Sequence, residues 1–198
     1  MERYRPGTAL LVVDVQNDFA DPRGSLYVEG ADRILEAVNA EVARAARRSC
    51  PVVYTQDWHP EVTPHFLKDG GTWPVHCVMD SWGAAFLEGL AVEGPTVCKG
   101  SDGGNAYSGF SVWDPVTEEI SSTTLAPILR DCATERLVIV GLTTDYCVLE
   151  STLDAIRLGF EVIVITDAIH GVDRRPGDGE RALERMREAG ALLTEGSS

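Results

Sequence analysis

Leu137-Val138-Ile139-Val140-Gly141-Leu142-Thr143-Thr144-Asp145-Tyr146-Cys147-Val148 reads as a strand that runs straight into a helix. Leu137–Val140 is apolar without polar alternation, as suits a parallel strand covered on both faces. From Asp145 to Leu158 the apolar residues recur at helical spacing. Cys147 therefore stands at a strand-to-helix turn, where backbone N–H groups and the positive end of a helix dipole favour a thiolate. The same N–H groups could hold an oxyanion. A solitary buried cysteine more often packs as a small hydrophobe, so the weight of Cys147 depends on what the rest of the chain brings to it.

The alternation continues on both sides. Thr8–Val13, Val52–Thr55, Thr96–Lys99, Val162–Thr166 and Leu192–Thr194 read as further strands. Ala31–Arg48, Trp82–Leu87, Thr124–Arg130 and Gly179–Ala189 read as helices, the first with Ile34, Leu35, Val38 and Val42 on one apolar stripe. Gly159 and Gly190 fall just past two helices, where a left-handed cap is expected. Repetition of strand and helix implies an α/β fold: a three-layer, Rossmann-like domain whose central, mostly parallel six-stranded sheet carries helices on both faces. No repeat or linker interrupts the pattern, so residues 1–198 are expected to form a single domain. Gly100–Ser122, rich in glycine and serine, is the one long irregular stretch. A loop of that length is usually functional or mobile.

Composition narrows the function classes. Hydrophobic residues make up 44% of the chain and charged residues 24%, an ordinary globular balance. A formal net charge of −14 repels DNA, RNA and anionic membranes, so neither is an expected partner. No apolar run approaches the roughly 20 residues of a membrane span. The N-terminal apolar stretch is too short for a signal peptide and ends in Asp14. Five cysteines without a CxxC pair argue against a disulfide framework and for a reducing, cytoplasmic setting.

Sheets of this kind bind ligands at the carboxyl ends of their strands, and the chemically capable residues collect there. Asp14 ends the first strand, Asp57 and His59 follow the second, Lys99 ends the third and Cys147 follows the fourth. Asp57 and His59 are two apart, so an extended backbone points both to one side, and His76 can join from the next loop. One carboxylate and two imidazoles suit Zn²⁺, Fe²⁺ or Mn²⁺ and leave positions open for water or substrate. His65 is a further candidate ligand, directly or through water. A carboxylate at the end of an apolar strand needs a partner, and for Asp14 either the thiol of Cys147 or the ammonium of Lys99 would serve. A lysine in such a cleft would stabilise a thiolate and keep Asp14 ionised. Asp18 and Asp21 read as turn residues and His170 as a loop histidine without a partner. Cys50, Cys77, Cys98 and Cys132 read as packing residues or free thiols.

Taken together, these residues resemble the nicotinamidase branch of the isochorismatase-like cysteine hydrolases. The similarity runs through Leu11–Phe19, Thr55–Pro60, Trp73–Val78, Lys99-Gly100, Ala106–Phe110 and Gly141–Val148, in the family's order. The resemblance implies a catalytic triad of Asp14, Lys99 and Cys147 and one divalent metal, foremost Zn²⁺, on Asp57, His59 and His76. It implies a cis peptide at Leu142–Thr143, with the N–H groups of Thr143 and Cys147 as the oxyanion hole. Phe19, Trp73 and Tyr107 match positions lining the pyridine pocket. The implied reaction hydrolyses nicotinamide to nicotinate and ammonia through a thioester, within NAD salvage, and a homo-oligomer is compatible with it. Thr143 stands where alanine is common in the family, and Tyr146 where some members have histidine. Two other readings stand beside this one. An amidase for another small carboxamide or an N-carbamoyl or ureido substrate would generally lack the metal set. A non-catalytic ligand-binding member would usually lack one of the triad.

Overall fold

A computed structural model describes residues 2–196 of the chain. In chain order the strands are β1 (Thr8–Val13), β2 (Val52–Asp57), β3 (Thr96–Lys99), β4 (Ser111–Trp113), β5 (Ile120–Ser122), β6 (Arg136–Leu142), β7 (Glu161–His170) and β8 (Leu192–Thr194). The helices are α1 (Asn17–Ala20), α2 (Leu35–Arg47), α3 (Leu125–Asp131), α4 (Leu149–Arg157) and α5 (Asp178–Ala189). Six strands form one wholly parallel sheet in the order β3-β2-β1-β6-β7-β8. The chain winds outward from β1 to β3, then returns to β6 and winds the other way. The reversal falls between β1 and β6, the crevice where such sheets bind ligands.

Both faces of the sheet are covered, which explains the unbroken apolar runs. Leu10, Val12, Tyr54, Val138, Val140, Ile163 and Ile165 pack on one side with Val38, Val42 and Ala45 of α2. Their strand neighbours Ala9, Leu11, Val13, Val53, Leu137, Ile139 and Val164 pack on the other with Leu125 and Leu129 of α3, Leu149 and Leu153 of α4, and Met186 of α5. This is the three-layer α/β arrangement expected from the sequence. Among the described residues no helix is long and apolar enough to cross a membrane.

Several elements depart from their expected bounds. β2 runs on to Asp57, so that Asp57 lies in the strand opposite Lys99 rather than after it. The segment expected as one helix from Ala31 begins as a 3₁₀ turn, Ala31–Ile34. The turn ahead of α4 is a π-helical loop, Thr144–Val148. Gly100–Ser122 contains the antiparallel β4–β5 pair. Near the end of β6 the register with β7 shifts at Gly141, whose φ is 113°. A Cβ there would lie 2.1 Å from the Val13 carbonyl oxygen, so only glycine fits.

Trp82–Leu87 forms turns, not the expected helix. Apart from the Ala85 N–H, which bonds Trp82 O at 3.2 Å, its carbonyls are claimed by side chains and by β1's continuation. Ala84 O accepts from Gln16 Nε2 and Gln56 Nε2, Trp82 O from Asn17 Nδ2, and Gly83 O from the Asp18 N–H. Gln16 also grips the backbone of Asp57 from both sides, donating to its O and accepting from its N at 2.8 Å each. His170 ends β7 and is partnered after all, its Nε2 2.9 Å from Glu29 O.

Asp18, read as a turn residue, is a buried tie between three loops. Its Oδ1 accepts the Ser25 N–H and its Oδ2 the Cys77 N–H, at 2.9 and 2.7 Å. Gly83 lies so close that a Cβ there would strike the carboxylate. These bonds fix the chain on either side of Phe19 and beside His76. Asp18→Ala leaves two N–H groups without an acceptor at roughly 1–3 kcal/mol each. For a chain of this size that is expected to lower the midpoint of thermal unfolding by about 5–15 °C, whereas a change within about 1 °C, read by circular dichroism, would show that the tie carries no stability.

Candidate active site

Asp14 leaves β1 with φ of 47°, in the left-handed region that costs a non-glycine residue energy. Its N–H still bonds Thr55 O of β2 at 3.2 Å, and its carbonyl accepts from Gln16 N at 2.8 Å. The turn aims the carboxylate across the end of the sheet. There Oδ1 accepts from Thr55 Oγ1 at 2.6 Å, and Oδ2 is 2.8 Å from Lys99 Nζ. Lys99 also donates to Asp57 Oδ1 and, at 2.6 Å, to Ala106 O, and lies 3.7 Å from Cys147 Sγ. Cys147 Sγ, an Asp14 oxygen and an Asp57 oxygen lie within 4.8 Å of one another. This group of two carboxylates and a thiol already contains its own cation, the Lys99 ammonium, and so needs no metal ion to balance its charge.

The Leu142–Thr143 peptide is cis. In the loop that follows, Tyr146 and Val148 both donate to Thr143 O. Among the described residues no turn or side-chain bond takes up the N–H of Thr143 or of Cys147.

On the other side of Asp57 the imidazoles of His59, His65 and His76 converge, with one nitrogen of each within 4.8 Å of the others. All three are buried. His76 Nδ1 donates to Pro74 O at 2.8 Å, and His65 Nδ1 meets Asn105 Oδ1 at 2.5 Å. Each ring thus keeps a lone pair on Nε2 for the cluster. Asp57 Oδ2 lies 3.8 Å from His59 Nε2 and 3.9 Å from His76 Nε2. Neither ring nitrogen of His59 has a hydrogen-bond partner among the described residues. A buried polar ring left unpaired among other lone pairs is unfavourable unless a cation sits between them. The residues therefore fit a divalent metal ion. His65, held in reserve from the sequence, stands as close to the cluster as the other two.

Ionisation follows the packing. Burial pulls His76 down to about 4 and holds His65 below its usual value, so both are neutral donors near pH 7. Burial would raise Asp57, but the Lys99 ammonium and the neighbouring imidazoles hold it far below the usual carboxylate range. Asp14 is raised by burial, which Lys99 only partly offsets. For Lys99 burial favours the neutral amine, yet Asp14 and Asp57 outweigh it and keep the ammonium. Cys147 departs from its expected thiolate character. Burial pushes its thiol well above the ordinary value, Lys99 offsets part of this, and the two carboxylates add to the rise. These surroundings favour the protonated thiol over the thiolate.

A cavity opens over the triad. Phe19, Trp73 and Tyr107 stand in its wall, as do Leu26, Val28, Val172, Tyr146 and Thr143. Trp73 Nε1 donates to Tyr107 Oη at 2.8 Å, and Tyr146 meets Trp73 edge to face at 5.0 Å. Phe19 and His76 rings lie 5.5 Å apart. Cys147 and Asp57 form the polar floor. Val172, Leu26 and Asn105 carry no motif and were invisible in the sequence; each arrives from a loop whose path only the folded chain sets. Thr55, by contrast, stood two residues before Asp57 on an apolar strand, and a hydroxyl there could have been suspected.

Residues 8–198 match the Isochorismatase domain family. The chain is 35% identical to the nicotinamidase of Escherichia coli (strain K12) over 207 residues, covering 95% of this chain and 94% of that one. It is 37% identical to the nicotinamidase/pyrazinamidase of Mycobacterium tuberculosis (strain ATCC 25618 / H37Rv) over 191 residues, 93% of this chain and 97% of that one. The pyrazinamidase of Pyrococcus horikoshii, solved in complex with zinc, superposes with a TM-score of 0.86 at 39% identity, covering 96% of this chain and 99% of that one. The extent of these matches and the geometry of the cleft agree, and this chain belongs to the isochorismatase domain family.

Proposed function

We propose that the protein is an amidohydrolase that converts nicotinamide to nicotinate and ammonia, with Cys147 as nucleophile, Asp14 as general base and acid, and Lys99 as their electrostatic partner. The observation that carries this reading is the convergence of the Cys147 thiol, the Asp14 carboxylate and the Lys99 ammonium beneath an aromatic cavity that Cys147 itself lines, with three imidazoles converging alongside. The nicotinamidases similar over almost the whole chain support the substrate.

The thiol proton passes from Cys147 Sγ to Asp14 as sulfur adds to the carboxamide carbon. Asp14's raised proton affinity makes that transfer less uphill than to an ordinary carboxylate. The carboxamide oxygen takes the electron pair and is held by the N–H groups of Thr143 and Cys147, each such donor being worth roughly 10²–10³ in rate. Asp14 then gives its proton to the nitrogen, the C–N bond breaks and ammonia leaves. The remaining thioester is attacked by water that Asp14 deprotonates. Collapse of this second adduct breaks the C–S bond, and the proton on Asp14 returns to sulfur. Throughout, Lys99 balances the negative charge that moves between Asp14 and Cys147. The aromatic walls hold the ring so that the carboxamide faces Sγ.

Asp57, His59, His65 and His76 would hold the divalent metal, Zn²⁺ by its preference for imidazole with one carboxylate, with Fe²⁺ and Mn²⁺ as alternatives. When bound it supplies a Lewis-acid anchor for the pyridine nitrogen.

Purified protein is expected to release ammonia from nicotinamide, and Cys147→Ala to lose roughly 10⁴-fold or more in kcat while still binding the substrate. Ammonia release by Cys147→Ala at near the native rate would remove the nucleophile assignment. For Asp14, activity requires the ionised carboxylate, so kcat/KM must rise with pH as its proton leaves. Because burial raises Asp14, that limb should lie above the ordinary carboxylate value of about 3.9; a limb at or below 3.9 would mean another group takes the proton. Chelation is expected to raise KM far more than it lowers kcat. Metal analysis should show His65→Ala binding about 10–100-fold more weakly, and unchanged affinity would place His65 outside the metal set.

A further inference from the structure

A second basin opens beside the substrate cavity, between the turn after β7 and the first turns of α4 and α5. It is a cleft of about 610 Å³ lined by Tyr146, Leu149, Arg174, Arg175, Arg181 and Arg185, together with Asp145 and Asp178. Four guanidinium groups in one cleft are out of keeping with a chain whose formal net charge is −14. The two carboxylates do not neutralise them all. Asp145 is occupied by the N–H groups of Val172 and Asp173, and Asp178 by Arg175 N and the Arg181 guanidinium. Arg185 reaches Glu150 at 3.7 Å. Arg174 and Arg175 have no carboxylate partner among the described residues.

Arg174 is also tied to the proposed reaction site. Its guanidinium carbon lies 5.0 Å from the Trp73 ring centroid, and Trp73 is in the cavity wall. Tyr146 lines both the cavity and the cleft. The cleft thus joins unpaired, planar cations to an aromatic and aliphatic wall, and it does so at the mouth of the cavity. We infer that this cleft binds small aromatic carboxylates, the class to which the acid product of the proposed reaction belongs. The ligand's source rests on that reading; the cleft itself does not.

The chemistry is that of a fork meeting a carboxylate while the ring lies against Tyr146 and Leu149. A neutral carboxamide can accept a hydrogen bond from the arginines but lacks the charge and the second oxygen of a carboxylate, so the cleft favours product over substrate. A bare anion such as phosphate makes no use of the apolar wall. The product acid leaving the cavity would pass into this basin. At high concentration it would occupy the basin and slow turnover without displacing substrate.

The test titrates benzoate, which keeps ring and carboxylate but has no ring nitrogen, into the full chain by calorimetry. Binding is expected in the native protein. It should weaken about tenfold in Arg174→Gln/Arg175→Gln and on raising salt from about 0.05 to 0.5 M, and largely persist in Arg174→Lys/Arg175→Lys. Thermal unfolding of both variants controls for folding. Equal affinity in the glutamine variant and the native protein, or no benzoate binding at all, overturns the inference; so does binding of benzamide or inorganic phosphate as tight as that of benzoate. Absence of ammonia release from nicotinamide would overturn the proposed reaction alone, because the benzoate titration reads the cleft without turnover.

Discussion

The ammonium of Lys99 sits at the carboxyl edge of the sheet with its side chain wholly out of water. A lone charge there costs several kcal/mol, and removing one member of a buried pair typically costs roughly 3–5 kcal/mol. Asp14, Asp57 and the Ala106 carbonyl together make the position tenable. These partners come from the ends of β1 and β2 and from the loop beyond β3, so the constraint is three-dimensional. The left-handed turn at Asp14, the Gln16 clamp on Asp57 and the register that sets Asp57 opposite Lys99 all serve to bring oxygens to one nitrogen.

The same ammonium decides where the protons rest. Lys99 holds Asp57 low while burial raises Asp14, and an Asp14 oxygen lies within 4.8 Å of Cys147 Sγ, so the proposed reaction would have its proton acceptor close at hand. A thiolate stabilised in advance by a helix terminus was the simpler expectation. Burial and the field of two carboxylates push the thiol the other way, against a partial helix charge that falls off within a turn. In the proposed reaction the thiolate would then form as the proton moves to Asp14, rather than being held ready beforehand.

What the sequence made legible was whatever is encoded within a few neighbouring residues. Unbroken runs such as Leu137–Val140 show a buried parallel strand without reference to anything distant, and polar residues at the ends of such runs, Asp14 and Lys99 among them, stand out against the apolar background. Trp82–Leu87 misled because its residue types suit a helix while its carbonyls answer to Gln16, Asn17 and Gln56, far away in the chain. Asp18 misled for the converse reason. Aspartate in a loop is ordinarily a turn residue, and only the approach of Cys77 and Ser25 turns it into a buried acceptor. His65 lay between the two, recognisable as a donor but without a spacing that fixed its direction.

Asp57 shows how recognition and bond breaking are held in register. One oxygen receives the Lys99 ammonium; the other faces His59 and His76 of the imidazole cluster. A carboxylate is rigid, so the points at which Asp57 meets the two centres stay a fixed distance apart. The Gln16 side-chain amide bonds both the N–H and the carbonyl of Asp57 and so holds its backbone in place. A ligand that engages both centres must then be a small flat molecule with a donor atom at one end and a reactive carbonyl at the other. The aromatic wall of Phe19, Trp73 and Tyr107 admits that shape, and a longer or non-planar amide could satisfy one centre only by leaving the other.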